Sequence, residues 1–174
     1  MLQVLAVVGR KKSGKTTTIE NLVSKLSKRG ISIAVIKHIS KPDFTIDTVG
    51  KDTWKFAQAG AKKIISVAQN EIAEIEKKSI EEISLEILLK KCETNEFVII
   101  EGLKKIVSKN KNIPKIAIVN SKEEFDNAIN LFEPILAFSG SFQPKEIDPI
   151  IPYFDGIENS QKLADLVYSW LKKV

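Results

Sequence analysis

The sequence predicts an α/β fold: a mainly parallel sheet with helices on both faces. Two observations predict it. Apolar runs of strand length alternate with amphipathic stretches, as at Val4 to Val8 followed by Ile19, Leu22, Val23 and Leu26 at helical spacing. Between that first run and that first helix lies Gly-Arg-Lys-Lys-Ser-Gly-Lys-Thr, residues Gly9 to Thr16. Glycines at both ends let the backbone wrap phosphate oxygens with its N–H groups pointing inward, and the helix starting near Lys15 adds the positive end of its dipole. This is a P-loop in its required strand–loop–helix setting, which predicts a P-loop NTPase fold. Gly9, Arg10, Lys11, Lys12, Ser13, Gly14, Lys15, Thr16 and Thr17 are the candidate nucleotide-binding residues. Lys15 carries charge to the terminal phosphates, and the Thr16 hydroxyl is placed to ligate Mg²⁺.

The chain's 174 residues suit one domain, taken as 1–174. Its formal charge of +5 comes from lysine pairs spread among acids, with no basic stripe carrying aromatics of the kind nucleic acid needs. No apolar run reaches the length of a membrane span. The apolar N-terminus runs straight into the P-loop, unlike a signal peptide, so a soluble cytoplasmic protein is expected. The single cysteine, Cys92, cannot form an internal disulfide.

After the first helix, Arg29-Gly30 supplies a stop and Ile31 to Ile36 reads as a second buried strand, a β–α–β arrangement that favours parallel pairing. Lys37 to Gly50 is a polar loop containing Pro42, Asp43, Thr45 and Asp47. Lys51 to Gln58 reads as a short helix and Lys63 to Val67 as a third strand; the segment around Ile72 and Ile75 is ambiguous between strand and loop. Ile80, Ile83, Ile87 and Leu88 share one helical face leading to Cys92. Phe97 to Ile100 is an apolar strand ending at Glu101-Gly102, and the lysine-rich Lys104 to Ile113 reads as a mobile segment. Lys115 to Val119 and Ile135 to Phe138 are further strands, Lys122 to Leu131 a helix, and Leu163 to Leu171 a closing amphipathic helix.

A nucleoside triphosphate site needs an acid opposite Thr16 to organise the metal, and a stiff strand ending in a carboxylate supplies one. Glu101 is therefore the candidate metal-shell or water-polarising residue; Asp47 and Asp52 compete, each with a plain loop or helix-cap alternative. His38, the only histidine, stands at the ligand edge beside Lys37. Asn120-Ser121-Lys122-Glu123 resembles the Asn-Lys-x-Asp guanine-reading motif in a different order, and Ser139-Gly140-Ser141 is another possible base-side loop.

The P-loop, Ile36-Lys37-His38, Asp43 through Gly50-Lys51-Asp52, Ala59-Gly60-Ala61, and Glu101-Gly102-Leu103-Lys104 together resemble the MobB family of molybdopterin-guanine dinucleotide biosynthesis adaptor proteins. The resemblance spans about the first 120 residues. It implies a GTP-binding, weakly GTP-hydrolysing homodimer that uses Mg²⁺ and assists the molybdenum cofactor guanylyltransferase, with molybdopterin itself a possible further ligand. The matching residues are Lys37, His38, Asp43, Asp47, Gly50, Lys51, Asp52, Glu101 and Lys104. Of these, Lys37, His38, Asp47, Lys51 and Asp52 join the candidate ligand-binding set. Family members carry a histidine cluster after the Lys-His pair where this chain has Ile39 to Pro42. The rival readings are a P-loop small-molecule kinase passing the γ-phosphoryl group to an acceptor, for which two arginines, Arg10 and Arg29, are thin machinery, and a partner protein that binds nucleotide without hydrolysing it.

Overall fold

The structure, a computed structural model, describes residues 2–41, 43–142, 151–155 and 158–173. Within that span the chain forms two compact units, one from residues 1–38 and 89–174 and one from residues 39–88. No helix among the described residues is long and apolar enough to cross a membrane.

The first unit is built on β1 (Gln3–Gly9), α1 (Lys15–Ser27) and β2 (Ile33–Lys37), and resumes with β5 (Phe97–Glu101), α4 (Lys104–Val107), β6 (Lys115–Ile118), α5 (Lys122–Leu131), β7 (Ile135–Gly140), β8 (Tyr153–Asp155) and α6 (Ser160–Leu171). Its six strands run parallel in the order β2-β5-β1-β6-β7-β8. The predicted fold class holds, with one rearrangement: β2 pairs with β5, which sits between it and β1. β1, β5 and β6 bury both faces, and their sequences are accordingly mostly apolar, with the buried Lys115 at the start of β6 as an exception. Leu5, Val7, Phe97, Ile99, Ile116 and Ile118 point to one face and pack with Ile19, Leu22 and Leu26 of α1 and Leu163, Ala164 and Val167 of α6. On the other face Phe125 of α5 sets its ring 4.7 Å from that of Phe138.

The segment read as mobile, Lys104 to Ile113, contains α4 and buries Val107 and Ile113. These two buried apolar side chains anchor the stretch, while Ile106 is exposed. The three-residue β8 escaped sequence reading because so short a strand carries too little alternation to register.

The second unit holds α2 (Asp52–Gln58), β3 (Lys63–Val67) and β4 (Ile72–Glu76). α2 stops at Gly60, whose φ of 108° is the left-handed conformation of a helix cap. The expected third strand does not join the main sheet: β3 pairs antiparallel with β4 in a separate hairpin. Alternation then sends Ile64 and Ile75 inward and exposes Ile65, Val67 and Ile72 on the other face. The single helix expected from Ile80 onward is broken instead. A 3-10 turn spans Ile80–Glu82, and α3 (Leu85–Lys90) starts afresh. Two serines cause the break, since Ser79 Oγ accepts from the Glu81 N–H and Ser84 Oγ from the Ile87 N–H. Pro42 and the Ile80 side chain lie outside the described residues.

Candidate functional site

The parallel sheet brings the carboxyl ends of β1, β2, β5, β6 and β7 to one edge, and the P-loop leaves β1 at that edge. Gly9 is required by crowding: a Cβ there would stand 2.8 Å from the Ile118 carbonyl oxygen and 2.8 Å from Ser13 Oγ. Lys12 and Gly14 take left-handed φ values of 61° and 101°, curling the loop into a nest of backbone amides ahead of α1. The Lys15 ammonium curls back across the loop to donate to the Arg10 carbonyl. Burial pushes its pKa below the ordinary lysine value; the Glu101 carboxylate opposes that shift, and the nearby Lys104 and Lys37 charges reinforce it.

Glu101 stands where the sequence places it, at the end of β5, and faces Thr16. The Thr16 hydroxyl lies 3.3 Å from both Glu101 carboxylate oxygens. Parallel pairing sets Lys37 of β2 level with Glu101, and the Lys37 ammonium reaches Glu101 Oε2 at 3.1 Å and Thr16 Oγ1 at 3.4 Å. His38 enters differently: its backbone N–H donates to the Glu101 carbonyl at 2.9 Å, and its Cβ lies 3.3 Å from the position a Cβ on Gly102 would take. Its demonstrated part is thus to fix the end of β2 against β5. Thr17 is exposed on the first turn of α1.

One hydroxyl and one carboxylate are a fitting donor set for Mg²⁺, which takes few protein ligands and completes its shell with phosphate oxygens and water. Among the described residues no group of three or more His, Cys, Asp or Glu side chains could hold a metal on its own.

The family described as Molybdopterin guanine dinucleotide synthesis protein B, MobB, matches residues 4–139. The chain belongs to this family. It is 30% identical over 172 residues to the molybdopterin-guanine dinucleotide biosynthesis adapter protein of Haemophilus influenzae, covering 98% of this chain and 90% of that one. A putative adapter protein of the same description from Methanocaldococcus jannaschii is 38% identical over 127 residues, covering 72% of this chain and 50% of that protein. A crystal structure of molybdopterin-guanine biosynthesis protein B superposes with a TM-score of 0.75 at 26% identity, covering 97% of this chain and 99% of that chain.

The other residues singled out in this MobB-family sequence are placed as follows. Asp47, Lys51 and Asp52 belong to the second unit. Asp47 Oδ1 accepts from the Thr48 N–H at 2.9 Å and from the Thr53 hydroxyl at 2.7 Å, shaping the loop ahead of α2. Lys51 is the N-cap residue of α2, and Asp52 sits in its first turn, paired with Lys55 at 3.3 Å. Arg10 turns away from the loop to α5, bonded to Glu123 and 3.6 Å from Glu124. Arg29, at the far end of α1, pairs with Asp165 and stacks over the Tyr168 ring. Lys11 and Lys12 are exposed.

Asn120 has a role that sequence reading missed. Its amide is engaged on both sides, donating to the Ser13 carbonyl at 3.0 Å and accepting from the Ser141 N–H and hydroxyl at 3.0 Å each. Glycine at 140 permits that closure, since a Cβ there would stand 2.1 Å from the Val119 carbonyl oxygen. The signal was present as two loops, each noted for base reading, whose mutual contact depends on β6 and β7 being neighbours.

Proposed function

We propose that this chain binds GTP with Mg²⁺ at the P-loop, hydrolyses it slowly, and acts as an adaptor in molybdopterin guanine dinucleotide biosynthesis, assisting the guanylyltransferase. The observation that carries the reading is the Thr16–Glu101 pair at the mouth of a P-loop. In this reading the loop amides and Lys15 hold the β- and γ-phosphates, while Thr16 and Glu101 hold the cation. Mg²⁺ held there would neutralise charge on the phosphates. Glu101 also orients the attacking water.

Both arginines being paired elsewhere in the first unit supports slow turnover and counts against the kinase reading. An arginine finger accelerates P-loop hydrolysis by roughly 10³ to 10⁵-fold, and lysines supply charge without the bidentate fork. A homodimer belongs to the proposal, and the exposed apolar face of the β3–β4 hairpin suits a second copy. Molybdopterin as a direct ligand rests on family membership alone.

The test is calorimetric titration with GTP and ATP, each with and without Mg²⁺, alongside Lys15→Ala. Tight Mg²⁺-dependent GTP binding, weaker ATP binding and loss of both in a folded Lys15→Ala variant are expected. Unchanged affinity in that variant would remove the P-loop from the reading.

A further inference from the structure

Glu101 is nearly buried, its side chain 12% exposed, and at the proposed site it would face a triphosphate of high negative charge. A carboxylate so placed repels the ligand unless a cation lies between them. Three lysines share this neighbourhood, the Lys15 ammonium feeling the charges of Glu101, Lys104 and Lys37, but they are not equivalent. Lys15 is engaged with the Arg10 carbonyl. Lys104 follows the turn after β5 and acts through its field on Lys15. Among the described residues only Lys37 touches both members of the Thr16–Glu101 pair, at 3.4 Å and 3.1 Å.

We propose that Lys37 is a tethered counter-cation of the Thr16–Glu101 pair, which takes the role of the divalent ion when nucleotide arrives without metal and yields the pair to metal when it is present. The proposal rests on the reading of this site as a nucleotide site. Its geometry is suited to exchange. The backbone of Lys37 is fixed by the ladder to β5, level with Glu101, while its side chain is 48% exposed on a flexible four-carbon stem. The ammonium can therefore leave without disturbing the strand. An ammonium is also a compact point charge, the kind of group a small hard cation can replace at a carboxylate and a hydroxyl. Lys37 is a positioning residue in this account, acting on the ligand through Glu101 and Thr16.

The consequence is a coupling between metal and nucleotide that Lys37 weakens. Without metal, the wild-type protein neutralises Glu101 internally and retains part of its nucleotide affinity; without Lys37, the naked carboxylate opposes the phosphates.

GTP affinity measured by calorimetry in EDTA and in excess Mg²⁺, for the parent, Lys37→Met and Lys37→Gln, tests this. In EDTA both variants should lose about tenfold, the scale of a charge-assisted bond. In excess Mg²⁺ both should stay within about threefold of the parent, and the Mg²⁺ concentration at half-maximal enhancement should fall. Equal losses in EDTA and Mg²⁺ would make Lys37 a uniform phosphate contact and overturn the proposal while leaving the nucleotide site standing. A parent protein that binds no nucleotide under either condition would overturn the nucleotide site and this proposal with it.

Discussion

Asn120 holds Ser13 from the side: its amide nitrogen donates to the Ser13 carbonyl at 3.0 Å, tying the turn after β6 to the phosphate loop. Because its oxygen is bonded to Ser141 as well, one side chain fixes three loops at the sheet's carboxyl edge. Asn120→Ala should cost about 1 kcal/mol of stability, the net worth of hydrogen bonds whose partners can turn to water, and weaken GTP binding in the folded protein. Urea denaturation and calorimetry read the two effects. Unaltered affinity would mean that the loop holds its shape without the brace.

Glu101→Gln keeps the shape of the side chain and removes its charge. Hydrolysis should fall by at least about tenfold, while affinity for GTP in saturating Mg²⁺ changes much less. Single-turnover phosphate release, compared with equilibrium binding, separates them. Equal rates in parent and variant would remove Glu101 from the chemistry.

Arg10 is committed to Glu123 and Glu124, so Arg10→Ala should leave the intrinsic rate of hydrolysis unchanged. That rate is expected to be slow. A dilute monomeric preparation turning over several times per second would instead favour an autonomous GTPase or a kinase.

Lys115 is fully buried at the start of β6, its ammonium donating to the carbonyls of Asn110 and Glu133. Burial lowers its pKa from 10.5 to about 8, with Glu133 opposing and Lys109 adding to the shift. Between those values the unfolded chain holds a proton that the folded chain has released, so stability rises with pH across the window. The destabilisation is fully present below pH 8 and relieved by about pH 10.5, on the order of 3 kcal/mol in all. Denaturation midpoints measured from pH 7.5 to 10 should climb more steeply in the parent than in Lys115→Met. Parallel slopes would contradict the buried amine.

Val67 is 75% exposed on the outer face of the hairpin, directly opposite Ile72. Val67→Lys should leave the subunit folded and shift a dimer towards monomer, as read by light scattering across a dilution series. A dimer that survives the substitution would place the interface elsewhere.

The parts of the site that are contiguous in sequence were legible in it. The P-loop reads directly because its glycines, lysine and threonine are neighbours in the chain, and Glu101 reads as an acid capping an apolar strand. The contacts that depend on strand order did not read. Nothing local says that β5 lies between β1 and β2, so the Lys37–Glu101 pair is invisible until the sheet is assembled. The same holds for Asn120, whose partners lie in two other loops. The hairpin was obscured for another reason: β3 and β4 carry apolar residues on both faces, which blurs the alternation that marks a half-buried strand.

β2 is one of the two edge strands of the six, the other being β8, and only partial burial holds its side chains. A slip of one residue against β5 would disturb the packing of Ile33 and its neighbours on this strand, and it would turn Lys37 to the opposite side of the sheet. Such a chain would still carry its main core, and the change would fall at the proposed cation site beside Glu101. Fidelity of assembly at this edge is therefore a separate matter from stability. In a preparation that melts as one species, the fraction of molecules that bind at the proposed site would then report the chains in which β2 docked in the right frame.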